Sequence, residues 1–542
     1  MRIAMSVLLL GAIFLTEASA APLSLEKQLP ISMKLRRVPG AQVYIFRNDG
    51  FEKSLAVGLR DFRSQDKVTE KTLFQAAGLV RPLTALLTLQ TAARGGFSLR
   101  DPLDQLPHSL KLDPKKKNSY KSAPTLADLL SMTSGLAASW DGVYHDREAK
   151  MPSLEEFLQK EFQIASNPGE SIAHSTVGYG YTQWFLEKQS GKSYGELLRS
   201  EVLAPLGMRA TRSDLPADFK GDFAQGHLPL GKKKRFFPIP RPRVLLPAAM
   251  SLYTTARDYG RFLRTVSVGT PTGSSPRDVL LRPAISYGPE LGETGFGFEL
   301  LRLDGLTPTP AYGRGLEKNS YKQEGPKRYL YRVTGRQAGY SALAVFVPGK
   351  GGAVILANRE NPHFLREMMS IIYREYLNSF IPAGMSIAVR QPVQYPIKRK
   401  GVPNYDVAKL EGFEELTGFY RPRNILPGHA GWFRFFTDSR IAITNKRGLE
   451  LSGIFEREAA IQLMPLGKDV FLARGNAGMN GWRLRVLRED DGDIKGLVTD
   501  GVRYDRLPYI LSVWSIIIGL GLLIILPFAI AFVVAIRKKR TD

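Results

Sequence analysis

The chain of 542 residues contains no cysteine. That excludes disulfides, thiolate metal sites and cysteine nucleophiles. Histidine is scarce as well: the six at positions 108, 145, 174, 227, 363 and 429 show no metal-ligand spacing, so no metal and no cofactor is expected. Acidic residues are outnumbered, 51 against 75 Lys and Arg, leaving a formal charge of +24. So basic a chain suits an anionic membrane surface, an anionic envelope polymer or nucleic acid.

The two ends bear on that choice. Arg2 precedes an apolar run from Ile3 to Leu15, and Ala18-Ser19-Ala20 forms a small-x-small site; residues 1–20 read as a secretory signal peptide. Ile510 to Ile536 is 27 residues without a charge, followed at once by Arg537-Lys538-Lys539-Arg540. That pattern predicts a transmembrane helix over 509–536 with the basic tail 537–542 in the cytoplasm. The expected protein is single-pass in a bacterial cytoplasmic membrane, with its bulk extracytoplasmic, and nucleic acid drops out as a partner.

Between the ends, hydrophobic periodicity and turn signals predict mixed helix and strand over 21–382. A Pro- and Lys-bearing linker follows at 383–403, then short alternating segments of a small all-β domain over 404–508. Asp49-Gly50 reads as a hairpin turn after a strand near Val43. Thr176 to Ser190 reads as a helix, and Tyr329 to Val333, Tyr340 to Val347 and Gly351 to Ala357 read as strands. The run Gly231 to Arg243 contains Lys232, Lys233, Lys234 and Arg235, then Phe236 and Phe237, then three prolines. It reads as an exposed loop, in its plainest form a solvated hairpin. Its charges suit anionic headgroups or polymer, with the two Phe inserting into an interface.

Several stretches together resemble the β-lactamase-related serine hydrolases, a group with class C β-lactamases and penicillin-binding proteins. They are Val38-Pro39-Gly40-Ala41, Thr72-Leu73-Phe74, Leu126 to Leu136, Pro205-Leu206-Gly207-Met208, Ser251 to Phe262 and Gly339-Tyr340-Ser341. The resemblance implies an α+β fold: an antiparallel sheet flanked by helices, plus a helical subdomain. Leu416-Thr417-Gly418-Phe419-Tyr420 resembles the start of the small β domain, barrel-like, that often follows.

The family's chemistry needs a Ser-x-x-Lys nucleophile and base, a Tyr-x-Asn element and a Lys-Thr-Gly or His-x-Gly strand. The first matches Gly78-Leu79-Val80-Arg81. Glycine has no oxygen, and arginine stays protonated and cannot act as a base. The second aligns with His174-Ser175-Thr176, and the third with Arg336-Gln337-Ala338. The expectation is a pocket without catalysis at Gly78, Arg81, His174, Thr176, Arg336, Gln337 and Ala338, where two guanidinium groups either bind an anion or pair with internal acids and fill the pocket. Such a protein would serve as a membrane-anchored pseudoenzyme whose partner is peptidoglycan, anionic lipid or an envelope protein. Two alternatives stand beside it: an active serine hydrolase of β-lactamase, D-Ala peptidase or esterase type with displaced residues, and a structural component of a membrane complex.

Overall fold

The structure is a computed structural model. It describes residues 23–508 apart from 111–122, 137–141, 145–149, 163, 165–166, 170–174, 217, 231–234, 269–272, 287–292, 304–327, 382–413, 423–438, 445–447, 454–460, 468–469, 475–482, 489–490 and 500–501. The expected signal peptide, the expected linker 383–403, the expected transmembrane span with its tail, and Lys232 to Lys234 lie outside the described residues. Among the described residues no helix is long and apolar enough to cross a membrane.

A nine-stranded antiparallel sheet carries the first part of the chain. Its strands are β1 (Gly40–Arg47), β2 (Glu52–Asp61), β3 (Asp66–Lys67), β4 (Ile285–Ser286), β5 (Glu293–Thr294), β6 (Glu299–Arg302), β7 (Tyr329–Gln337), β8 (Tyr340–Val347) and β9 (Gly351–Ala357). Their spatial order is β4-β5-β6-β7-β8-β9-β1-β2-β3. Side chains alternate across a strand. Val43 and Ile45 of β1 therefore join one core with Leu343 and Ile355, under helices α1 (Leu25–Arg36) and α6 (Pro362–Ile372). Tyr44 and Phe46 join the other core with Phe346 and Leu356. That second core extends under helices α2 (Arg81–Ala93), α3 (Leu126–Leu130), α4 (Thr176–Ser190) and α5 (Ala256–Val266). Both faces of the sheet are thus covered, which explains why its central strands β8 and β9 are buried along their whole length.

Helix starts follow their capping chemistry. Thr125 accepts from the backbone N–H of Asp128, and the Asp128 carboxylate returns a bond to the Thr125 N–H at 2.9 Å. Asn361 caps α6 through Phe364 N–H at 3.0 Å. Further along, eight strands from Gly418–Pro422 to Val502–Leu507 close into a barrel. Closure leaves that sheet without an exposed edge.

The start of the Pro-rich stretch forms one arm of a hairpin. His227–Leu230 and Arg235–Pro238 pair as an antiparallel hairpin, with Leu228 opposite Phe237 and Pro229 opposite Phe236. Pro lacks an N–H, and a two-stranded ribbon has outer edges where none is needed.

Candidate functional site

The site begins where a two-residue strand, Phe74–Gln75, pairs with Tyr253–Thr254. The Gln75 side chain is buried and makes three bonds. Its Oε1 accepts from Ala77 N–H at 2.9 Å and Leu252 N–H at 3.0 Å, and its Nε2 donates to Ser251 Oγ at 3.2 Å. These bonds hold Ala77 at φ 44°, a left-handed conformation that costs a non-Gly residue about 1–2 kcal/mol. The chain then turns through a 3₁₀ segment, Ala77–Val80, into α2. Other elements lock the turn from outside. Tyr259 OH donates to Leu79 O at 2.8 Å, and Thr84 Oγ1 lies 2.7 Å from Tyr194 OH and 2.8 Å from Ala248 O.

Gly78 is buried at the centre of this turn. A Cβ built on it would lie 2.6 Å from the carbonyl oxygen of Thr334 and 3.5 Å from Cζ of Arg81. The next residue on β7, Gly335, is closer still: its Cβ would lie 1.9 Å from Ala76 O. Strand β7 therefore meets the head of α2 backbone to backbone, through a pair of glycines. The Arg81 guanidinium lies beside Gly78, with Nη2 3.6 Å from Met250 Sδ.

Tyr179 lies within electrostatic reach of this guanidinium. Tyr179 is fully buried and its OH donates to Leu130 O at 2.7 Å. Burial raises the Tyr179 pKa above the ordinary phenol value, and the positive charge of Arg81 opposes that rise. Tyr179 is thus a neutral donor at any working pH. Replacing it with phenylalanine should cost about 1 kcal/mol in urea unfolding, because Leu130 O keeps its bond from Gly297 N–H.

The remaining sequence-predicted positions scatter. His174 lies outside the described residues. Thr176 is the first residue of α4; it is buried, and its Oγ1 has no hydrogen-bond partner among the described residues. Arg336 corrects the expected convergence: it is exposed and bonded through its guanidinium to Glu360. Gln337 is buried with neither amide atom hydrogen-bonded among the described residues, and Ala338 is half-buried in the turn before β8. The residues of β7 that touch the head of α2 are Thr334 and Gly335, in a tripeptide three positions earlier than the alignment of the third motif. The dipeptide itself was the available signal, since Val333-Thr334-Gly335 keeps the Thr-Gly of Lys-Thr-Gly and exchanges its lysine for valine. Sequence reasoning also missed Gln75 and Met250, which come together from distant parts of the chain.

At the hairpin, Phe236 is committed internally rather than free to insert. Its ring packs edge-on against Phe62 at 4.9 Å and against His227 at 6.0 Å. His227 is buried, with Nε2 accepting from Phe62 N–H at 3.1 Å, and burial holds its pKa below the usual imidazole value. Phe237 points outward and is 58% exposed.

No group of His, Asp and Glu among the described residues could hold a metal ion. A family model described as Beta-lactamase matches residues 29–377. The chain belongs to the beta-lactamase family. It is 25% identical over 342 residues to a beta-lactamase of Pseudomonas fluorescens, covering 61% of this chain and 91% of that one. It is also 25% identical over 398 residues to penicillin-binding protein 4 of Amycolatopsis lactamdurans, covering 70% and 94%. Among solved structures it resembles SurE, with a TM-score of 0.60 and 20% identity, covering 89% of this chain and 98% of SurE. A class C beta-lactamase is similar over 66% of this chain and 95% of its own, with a TM-score of 0.51 and 20% identity. At such identities the two structural likenesses concern the fold alone.

Proposed function

We propose that this beta-lactamase family member is a non-catalytic binding protein of the bacterial envelope, tethered to the cytoplasmic membrane by residues 510–536. The observation that carries the reading is the geometry at position 78. The residue there has no hydroxyl, the Thr334 carbonyl occupies the place of a side chain, and the nearby cation is an arginine. A family reaction that starts with a serine attacking a carbonyl has no first step here, and no residue at 81 takes a proton.

The position keeps a half-buried guanidinium at the head of a helix, near a tyrosine that stays neutral. This suits a carboxylate or phosphate group on an envelope ligand, such as the carboxylates of a peptidoglycan stem peptide, held without being cleaved. Titration calorimetry with soluble muropeptides tests it. Arg81→Met should weaken binding by about ten- to a hundredfold, the worth of a charge-assisted hydrogen bond. Unchanged affinity would remove the cleft from any role in binding.

A further inference from the structure

One surface, beside the Val38-Pro39-Gly40-Ala41 stretch, gathers several guanidinium groups. It lies where the C-terminal end of α1 meets the N-terminal end of α6. Arg36 Nε is bonded to Glu367 at 2.8 Å. Arg37 stands at the αL position that ends α1, with its guanidinium carbon 5.9 Å from the centre of the Phe236 ring. Arg359 donates through Nη1 to the carbonyls of Arg36 and Arg37, and its Nε is buried without a hydrogen-bond partner among the described residues. Arg366, in the first turns of α6, reaches the ring of His363.

Neither Arg359 nor Arg366 has a carboxylate partner among the described residues. Of the acids beside them, Glu367 is bonded to Arg36 and Glu360 to Arg336. The cations also crowd one another. The pKa of Arg359 is lowered by burial and then by Arg37, and that of Arg366 by burial and then by Arg36. In addition, Arg366 and His363 sit at the positive end of an eleven-residue helix that has no acid in its first turn. Cations at that end are unfavourable, and an anion there is favourable. Four guanidinium groups held in this way suit phosphate oxygens.

The rim of the cluster is apolar and exposed. On α1, Leu35 is 68% exposed and Ile31, one turn earlier, 55%. Lys34 and Lys27 share that outward face. On the hairpin whose Phe236 lies near Arg37, Phe237 and its cross-strand neighbour Leu228 are exposed. Exposed apolar side chains interleaved with Lys and Arg are what binds a bilayer interface, where headgroup phosphates and acyl chains lie within one side chain of each other. A soluble phosphate would use the arginines and leave Leu35 and Ile31 in water.

We infer that the junction of α1 and α6 docks on an anionic phospholipid surface, with Arg37, Arg359 and Arg366 taking headgroup phosphates and Leu35 and Ile31 entering the interface. This depends neither on the cleft nor on whether residues 510–536 span the membrane. The absence of cysteine makes the test clean, because Leu35→Cys carries a single label on the full chain. The labelled protein is placed in nanodiscs of phosphatidylcholine alone, or with phosphatidylglycerol added. With phosphatidylglycerol the fluorophore should shift to the blue and be quenched by brominated acyl chains. With phosphatidylcholine alone it should not.

Adding Arg37→Glu and Arg366→Glu should weaken the response to phosphatidylglycerol by about tenfold or more, given the attraction of each basic residue to an anionic leaflet. Lys34→Glu, on the fully outward face where folding is not at stake, should weaken it by a smaller factor. Pyrophosphate without lipid should leave the spectrum unchanged. Equal quenching in both lipids, indifference to all three charge reversals, or a pyrophosphate response that reproduces the lipid one would each overturn the proposal.

Discussion

Gly335→Ala is expected to destabilise the protein by about 3 kcal/mol or more, lowering its melting temperature by several degrees. The backbone of Gly335 lies outside the left-handed region, so alanine carries no conformational penalty there. The cost comes from space alone. The added Cβ would fall 1.9 Å from the carbonyl oxygen of Ala76, less than any real contact tolerates. That oxygen cannot retreat easily, because Ala76 N–H is bonded to Leu252 O at 2.7 Å and Ala77 is held by Gln75. Gly95→Ala supplies the comparison. It has positive φ but nothing within 4 Å of its Cβ, so it should cost only the left-handed strain of about 1–2 kcal/mol. If the two variants melt together, strand β7 does not press on the head of α2.

The second large effect concerns chemistry. Restoring the family's residues by Gly78→Ser with Arg81→Lys should fail to produce an enzyme that a fluorescent penicillin labels. The substitution rebuilds Ser-x-x-Lys, one of the three motifs the chemistry needs. In the structure the Cβ added at position 78 would collide with the Thr334 carbonyl at 2.6 Å, and Val333 stands where the third motif has lysine. A serine there would therefore push β7 away or twist out of line for attack. Gly78→Ala measures the collision separately. In a helix start with open space, alanine gains up to about 1 kcal/mol over glycine; here it should lose about 1–3 kcal/mol instead. A stabilised Gly78→Ala, or a double variant that labels at the rate of a working family member, would show that the site was lost by side-chain exchange alone.

The family's fold was legible because its marks are local. Strand alternation near Tyr340 to Val347, the Asp49-Gly50 turn and the start of α4 at Thr176 are each written in a few adjacent residues. The substitutions at 78 and 81 were legible for the same reason. The third motif is misaligned from sequence because Gly339-Tyr340 serves as its anchor and the turn before it has no length fixed by sequence. An offset of three along a strand is odd, and an odd offset moves a side chain to the opposite face. That is why Arg336 is expected in the cleft and is found on the surface with Glu360. Contacts such as Gln75 with Ser251, or Arg81 with Met250, join segments about 170 residues apart, and no local pattern announces them.

On the proposed non-catalytic reading, the full chain should form no covalent adduct. The most direct test is intact-mass spectrometry of the purified full chain after incubation with a fluorescent penicillin and, separately, with a fluorophosphonate. The predicted result is an unshifted mass with both reagents, alongside full labelling of an active class C enzyme run in parallel. A stoichiometric adduct on a serine of this chain would contradict it, and the modified residue would identify the nucleophile that took the place of position 78.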